Sequence, residues 1–510
     1  MSNFIGLDIG TTSVKAAIFN AAGDCSARCS VDYALETPAI DWVQLDPEHY
    51  WRSAQDVLQQ VVSRADLPPD SIAAIGISSQ GETTIAVDRH GKALYPALVW
   101  LDNRARVEAQ RLGELLNSEI YGRTGIPSVN PTWTACKIAW IQEHEPAVFE
   151  QAYKFVLAQN FIIHRLTGEF VTDGGVACTT LLLDIKAHRW WQAALDAAGI
   201  PLEKLPDLKR VGEVAGLLTN AVAGSLGLKP GIPIVLCGMD QISGAVGAGN
   251  LIPEIISEST GGALTIQATV DRPDLDPRHQ IPVYLHAIPG KFLFDPVCDT
   301  GGMTLKWFRD VFGEMEVERA HLAGEDPYDL LGQLAGLSEP ACQGLLMLPF
   351  LTGASSPEYN PFARGVFYGF TLAHQKHHFA RAVLEAVAFM LRRNLEVISA
   401  AGIEVDEIRA TGGGARSRLW RQIKADVCNI PVVSLRHEDT ALLGNAMLGA
   451  VATGHFRSLP EAAKAMVTVG ERLDPIDTHR EPYESAYHRY GQLYDTLAPL
   501  YAEHFGETRL

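Results

Sequence analysis

Three short stretches hold residue types whose spacing suits phosphate and proton chemistry. In FIGLDIGTTSVK, residues 4–15, the turn Gly10, Thr11, Thr12 bares consecutive backbone N–H groups and hydroxyls. That is a concave donor set suited to phosphate oxygens. Asp8, just before it, is an oxygen ligand of the kind that holds a hydrated magnesium ion, and Lys15 reaches the phosphates if its side chain faces the turn. A turn of this composition also serves as nothing more than a turn. Its recurrence as Thr260, Gly261, Gly262 in SESTGGALTIQATV, 257–270, strengthens the phosphate reading. The second stretch, PIVLCGMDQISGAVGAGN, 233–250, places Asp240 between an apolar run and a helix-like one. Asp240 has two readings there, a helix N-cap or a general base that takes a proton from a hydroxyl attacking the γ-phosphate of ATP. The third is ATGGGARSRLWRQIKADVCNIPV, 410–432, where three glycines precede a helix beginning near Ser417 and admit close approach of a flat ligand.

The elements that must position these groups follow from the apolar pattern. Phe4, Ile5 and Leu7 read as a buried strand, and Val14, Ala16, Ile18 and Phe19 resume the pattern before the turn residues Ala22, Gly23 and Asp24. The opening is therefore a β-hairpin. It excludes a P-loop and a dinucleotide fingerprint, both of which need a helix directly after the glycines. Further on come a helix over 47–64, a strand over 72–79, a turn and strand running to Trp100, and helices over 104–116 and 137–143. Strands between helices predict an α/β fold. The second half opens as the first did, strand, turn, strand, which predicts two related lobes facing a central cleft with the small-residue stretch 242–250 near the hinge.

At 510 residues the chain is long enough for two cores, and 47% apolar with 20% charged residues is an ordinary globular composition. The net charge of −18 disfavours nucleic acid and anionic membrane as partners. Apolar runs too short to span a bilayer, and an N-terminus without a basic region and apolar core, predict a cytoplasmic protein. Eight scattered cysteines lack paired CxxC spacing, so they read as reduced, mostly buried residues, with Cys25 and Cys29 not metal ligands. His374, His377 and His378 in HQKHH read as a solvated turn before a helix over 379–400. Trp190, Trp191 and the HYW at 49–51 read as packing residues. The aromatic repeat over 483–505 predicts a helix docked on a lobe, with part of its stripe also suited to a homodimer.

Taken in order along nearly the whole chain, GLDIGTTSVKAAIF, PTWTACKIAW (131–140), GMDQISGAVGAG, ARGVFYGFTLAHQKHHFARAVLE (363–385) and the triple glycine with LWRQIKADV resemble the FGGY carbohydrate kinases. The resemblance implies an α/β architecture of two actin-like ATPase (ribonuclease H-like) domains facing a central cleft, 1–247 and 248–510. It also implies ATP and Mg2+ as cofactors, and a sugar or polyol as the acceptor of a phosphoryl group. By the same resemblance Asp240 is the catalytic base, and Asp8 with Asp240 lies at the metal. Gly10, Thr11, Thr12 and Lys15 form the first phosphate loop, and Thr260, Gly261 and Gly262 the second. Gly301, Gly302, Gly413, Gly414 and Ala415 approach the nucleotide. Gln80, Gly81, Glu82, Trp100, Asp102, Asp240 and Gln241 contact the sugar.

This chain departs from family members at the sugar site. Glycerol kinases carry Gln-Arg-Glu-Thr-Thr where Gln80, Gly81, Glu82, Thr83 and Thr84 stand, and loss of that arginine removes a rigid five-donor group. Xylulokinases carry Gln-Met-His there. Ser259 replaces a common glycine before the second phosphate turn. A small Gly81 leaves room for a substrate longer than glycerol, which points to a ketopentose such as D-xylulose. Glycerol, erythritol and gluconate are the alternative acceptors, and a non-catalytic nucleotide or sugar sensor is the alternative class.

Overall fold

The structure is a computed structural model that describes residues 2–116, 119–274, 276, 278 and 281–505. Its first large sheet is built from β1 (Asn3–Ile9), β2 (Ser13–Asn20), β3 (Cys25–Asp32), β4 (Ile72–Ser79), β5 (Val214–Leu217) and β6 (Pro233–Met239), in the order β5-β6-β4-β1-β2-β3. The second contains β7 (Ile255–Thr260), β8 (Leu264–Val270), β9 (Val283–Leu285), β10 (Phe292–Phe294), β11 (Glu407–Thr411), β12 (Val432–Leu435) and β13 (Val469–Leu473). Its order is β9-β10-β8-β7-β11-β12-β13, with Val297–Cys298 paired beside β8.

The expected duplication is present strand for strand. β1 and β2 form an antiparallel hairpin, and β4 then β6 add parallel to β1. Likewise β7 and β8 form an antiparallel hairpin, and β11 then β12 add parallel to β7. Both glycine-bearing turns therefore lie at the carboxyl end of a strand flanked by a parallel neighbour, where open α/β sheets place their ligands.

The helices that matter here are α1 (Pro47–Ala65), α2 (Thr134–His144), α3 (Asp240–Gly247), α4 (Lys376–Ala400), α5 (Arg418–Cys428), α6 (Thr440–Ala452) and α7 (Asp477–Phe505). Each start has a local cause. Asp46 accepts from the Glu48 N–H ahead of Pro47, and Ser417 accepts from the Trp420 N–H at the start of α5. α1 buries Tyr50, Val57, Leu58 and Val61, the apolar face that helical spacing dictates. α7 buries Tyr483, Tyr490 and Tyr501 as a docked helix, with the Tyr483 hydroxyl donating to Glu385 of α4 at 3.0 Å. The histidine stretch differs from the solvated turn expected of it. α4 already begins at Lys376, His378 is 5% exposed, and its Nδ1 accepts the Gln375 N–H, so the ring caps the helix. Its polarity is used on a helix end, not on solvent.

The small-residue stretch after Asp240 also has a stronger role than a hinge. α6, from the second half of the chain, lies against the first sheet and against α3, and it comes within backbone contact. A Cβ added at Gly6 of β1 would sit 2.0 Å from the Leu442 carbonyl oxygen, and one at Gly76 of β4 2.2 Å from that of Asn445. At the helix crossing, a Cβ on Gly247 would meet the Thr440 oxygen at 1.8 Å and one on Gly444 the Ser243 oxygen at 2.0 Å. Asn445 fixes the register by donating to Leu7 O and to Ser78 Oγ, both at 2.8 Å.

Overpacking a close crossing costs ~1–3 kcal/mol or more. Gly444→Val is therefore expected to lower the thermal unfolding midpoint by several degrees. Gly224→Ala, in an exposed helix with nothing within 4 Å of the new methyl group, is expected to leave it level or raise it. Equal midpoints for the two variants in scanning calorimetry would contradict the backbone seat.

Candidate active site

A cleft of about 540 Å³ runs between the two sheets, lined by Asp8, Lys15, Asp240 and Gln241 from the first half and by Gly261 and Gly413 from the second. A second, more apolar cavity of about 370 Å³ adjoins it and shares Gly261 and Gly413, with Met303, Tyr328 and Trp420 in its walls. The second phosphate turn, the base candidate, the triple glycine and the two residues that flank the first turn, Asp8 and Lys15, thus converge on one continuous space.

The glycines divide into two kinds. At Gly302 a Cβ would lie 2.2 Å from the Gly261 oxygen, at Gly301 2.5 Å from the Ala263 carbonyl carbon, and at Gly414 2.7 Å from Thr260 Cβ. These three let the second turn, the start of the helix Gly302–Phe312 and the 412–414 corner close on one another. Gly261, Gly262 and Gly413 have nothing within 4 Å of an added Cβ. Their backbones face open space, the condition under which a ligand can approach N–H groups directly. Ala415 is buried behind the corner. In the first turn Gly10 donates to the Ser13 oxygen, and the Tyr33 hydroxyl donates to the Gly10 oxygen, which holds Thr11 and Thr12 outward.

Asp8 and Lys15 are register partners on β1 and β2, so both side chains stand on the cleft face. Lys15 Nζ lies 3.5 Å from Asp439, at the start of α6, and Arg28 of β3 pairs with the same carboxylate. Ser78 Oγ donates to Asp8 at 2.7 Å, and Ser78 is itself held by Asn445. Asp240 is not an N-cap: α3 begins at Asp240, Met239 holds the cap position, and among the described residues the Asp240 carboxylate receives one bond, from the Gln241 N–H at 3.0 Å. Burial pushes Asp240 well above the usual carboxylate range, and the charges of Asp8, Asp295 and Glu82 push it further. Burial likewise raises Asp8, partly offset by the Ser78 bond. A donor set made of carboxylate oxygens whose charges strain against one another fits a hard divalent cation such as Mg2+.

The expected sugar residues are distributed differently from one another. Trp100 is 37% exposed, and its indole N–H donates to Thr11 Oγ1 at 2.8 Å, joining the sugar segment to the first phosphate turn. Glu82 adopts φ +51° in the turn after β4, and its carboxylate takes no hydrogen bond from the described residues. Burial raises Glu82 to about 7 despite Lys137 nearby. Gln80 points into the core and donates to Tyr50 at 3.0 Å. Asp102 is fully buried, with its oxygens engaged by Arg104 and by the Val43 N–H, so it positions the 100–104 segment and does not face the cleft. The space expected beside Gly81 is filled by protein: a Cβ there would meet Thr179 at 2.8 Å, and Thr179 Oγ1 accepts the Glu82 N–H. Ser259 is a regular strand residue opposite Thr265.

Sequence reading missed the support under the second turn. Lys424 of α5 donates to Glu258 at 2.6 Å and to Thr260 Oγ1 at 2.7 Å, and Thr260 donates to Glu258 at 2.7 Å. Both charged side chains are 0% exposed. The signal was available, because Lys424 occupies the apolar stripe with Trp420, Ile423 and Val427.

Comparison with known proteins agrees with this geometry. Residues 3–247 match the model of the FGGY family of carbohydrate kinases, N-terminal domain, and residues 273–453 match that of its C-terminal domain. A gluconokinase of Bacillus subtilis is 33% identical over 95% of this chain and 94% of its own length. A xylulose kinase of Escherichia coli is 29% identical over 98% and 100%. Among solved structures, a ligand-bound xylulose kinase from Lactobacillus acidophilus superposes with TM-score 0.88 at 27% identity, covering 99% of this chain and 100% of that one. A gluconate kinase from the same organism gives 0.89 at 27%, covering 98% and 99%.

Removing one partner of a buried ion pair costs ~3–5 kcal/mol, because the other charge stays buried. Lys424→Met is therefore expected to lower the thermal midpoint markedly and to weaken nucleotide binding through the Thr260 turn. Adding Glu258→Gln is expected to restore most of the midpoint but not the nucleotide affinity. A single variant as stable as the parent would refute this role.

Proposed function

This chain belongs to the FGGY family of carbohydrate kinases, and from that premise we propose that it transfers the γ-phosphoryl group of magnesium-bound ATP to a hydroxyl of a ketopentose such as D-xylulose, giving xylulose 5-phosphate. The observation that carries the reading is the convergence on one cleft of Asp8 and Lys15, which flank the first turn, of Gly261 of the second turn and of the half-buried Asp240.

In this reading residues 1–247 supply the acceptor site, the first phosphate turn and the base, and residues 248–510 the nucleotide site. The adenosine lies in the apolar cavity between the 301–302 and 413–415 segments, which is compatible with the open backbone at Gly413. The N–H of Gly262 and the hydroxyls of Thr11 and Thr12 hold phosphate oxygens, with Lys15 beside them, while the Gly261 N–H closes the turn on the Ala263 oxygen. Asp240 accepts the proton of the attacking hydroxyl. Its raised proton affinity suits that task, since a carboxylate in water is a poor base. Asp8 and Asp240 would hold the magnesium ion, which neutralises charge on the phosphates during transfer when bound. Trp100, Glu82 and Gln241 orient the acceptor.

Gluconate is the second reading of the acceptor, favoured by the 33% identity to a gluconokinase. Either acceptor leaves the roles of the residues at the phosphates unchanged.

Loss of a general base typically costs ~10²–10⁴-fold in rate. Asp240→Asn is expected to lower kcat by that order while ATP binding, followed by calorimetry with magnesium, stays within a few-fold. Near-normal ADP release from Asp240→Asn would refute the assignment of the base.

A further inference from the structure

Among the described residues three cations line the cleft, Lys15, Arg28 and Arg416, and each is paired with one of two consecutive carboxylates that precede α6. Glu438 grips Arg416 as a fork, accepting from Nε at 2.9 Å and from Nη2 at 2.6 Å. Asp439 takes both cations of the first lobe. Lys15 Nζ stands 3.5 Å from one of its oxygens, and Arg28 Nη2 meets the other. Glu438 and Asp439 line the same cleft.

Arg28 stands on β3, outside the glycine turn, and the register of the sheet brings it to the site. Ser30 lies opposite Lys15 and Arg28 opposite Ala17, so Arg28 is the diagonal neighbour of Lys15 on one face. Asp8 lies opposite Lys15 on the other side. The row Asp8, Lys15, Arg28 thus crosses three strands on the cleft face. β3 is the outer strand of its sheet and the Arg28 side chain is 52% exposed, so no core depends on it. Asp439 is more constrained. It holds the cap position of α6, yet among the described residues its carboxylate accepts no N–H of that helix. An aspartate at a helix start ordinarily does so. Here its two oxygens are turned to the two cations instead.

We propose that Arg28 is a phosphate-binding residue of the nucleotide site, and that Asp439 is the counter-anion from which the phosphates of a nucleotide take Arg28 and Lys15. The proposal rests on the nucleotide site of the reading above and adds a second cation to its phosphate end. Charge and geometry both favour the exchange. The 3.5 Å separation at Lys15 exceeds the about 2.7–2.9 Å of a charge-assisted hydrogen bond, and ion pairs this exposed contribute little. A phosphate group presents more oxygens than a carboxylate, and a guanidinium takes it through two parallel N–H groups. Asp439 is fixed at the end of the α6 seat, whereas Lys15 and Arg28 have long stems. The cations therefore move and the carboxylate stays.

The test is calorimetry of magnesium-ATP and of adenosine with the parent chain, Arg28→Gln, Arg28→Lys and Asp439→Asn. Arg28→Gln is expected to raise the Kd of magnesium-ATP on the order of 10-fold and to leave that of adenosine level. Arg28→Lys, which keeps the charge, is expected to recover part of the loss. Asp439→Asn keeps the shape at the cap and frees both cations, so it is expected to lower the Kd of magnesium-ATP ~5-fold. A parental Kd for magnesium-ATP in Arg28→Gln, or an equal loss with adenosine, overturns the assignment of Arg28. Magnesium-ATP bound no more tightly by Asp439→Asn than by the parent overturns the exchange. Affinities that follow the expected pattern, with no ADP release from D-xylulose, gluconate, glycerol or erythritol, support Arg28 and overturn the phosphotransfer reading instead.

Discussion

The seat of α6 on the first sheet is the constraint on which the remaining geometry depends. The backbone of α6 meets three others where side chains would not fit, at Gly6, at Gly76 and at the Gly247–Gly444 crossing. Packing at this distance leaves little freedom in translation or rotation, because side chains that could re-rotamer are absent from the contact. Asn445 then converts position into chemistry. Its amide holds Ser78, and Ser78 holds Asp8, so a residue near the end of the chain orients a carboxylate near its beginning. Asp439, one residue before α6, meets Lys15 and Arg28 in the same way.

The site shows a division of labour between packed and open backbone. Gly301, Gly302 and Gly414 are small because protein presses on them, whereas Gly261, Gly262 and Gly413 are small beside empty space. Beneath the open turn lies the buried Lys424–Glu258 pair, which holds Thr260 from below with two hydrogen bonds. On the opposite side of the cleft, carboxylates predominate, and burial together with mutual repulsion lifts Asp240 and Glu82 toward their protonated forms. The cleft thus sets backbone N–H groups and Lys15 beside the carboxylates of Asp8 and Asp240.

Much of this was legible in the sequence because it is local. The hairpins, the strand Ile72–Ser79, the Pro47 helix start and the Ser417 cap all follow from spacing and capping within a few residues, and the structure places them within one or two positions of expectation. The duplication was legible too, since both halves repeat strand, turn, strand. What escaped depends on partners far apart in the chain. Gly81 reads as empty space until Thr179 is seen to fill it, and Asp102 reads as a contact until Arg104 and Val43 are seen to occupy it. His378 was misread because its burial comes from tertiary packing and its bond from a helix end.

The long sequence distance across the α6 seat has a consequence for how the chain comes into being. The strand faces at Gly6 and Gly76 are complete once residue 79 has been synthesised, but the helix that covers them ends at Ala452. At ~5–20 residues per second, this apolar face waits roughly 20 to 75 seconds for its cover. The sheet itself gains its last strand only at Met239, and from then on the nascent first lobe lacks only its lid, so the step that ends its exposure is the arrival of the second lobe. The order of synthesis thereby makes the two lobes a single folding unit in time as well as in space.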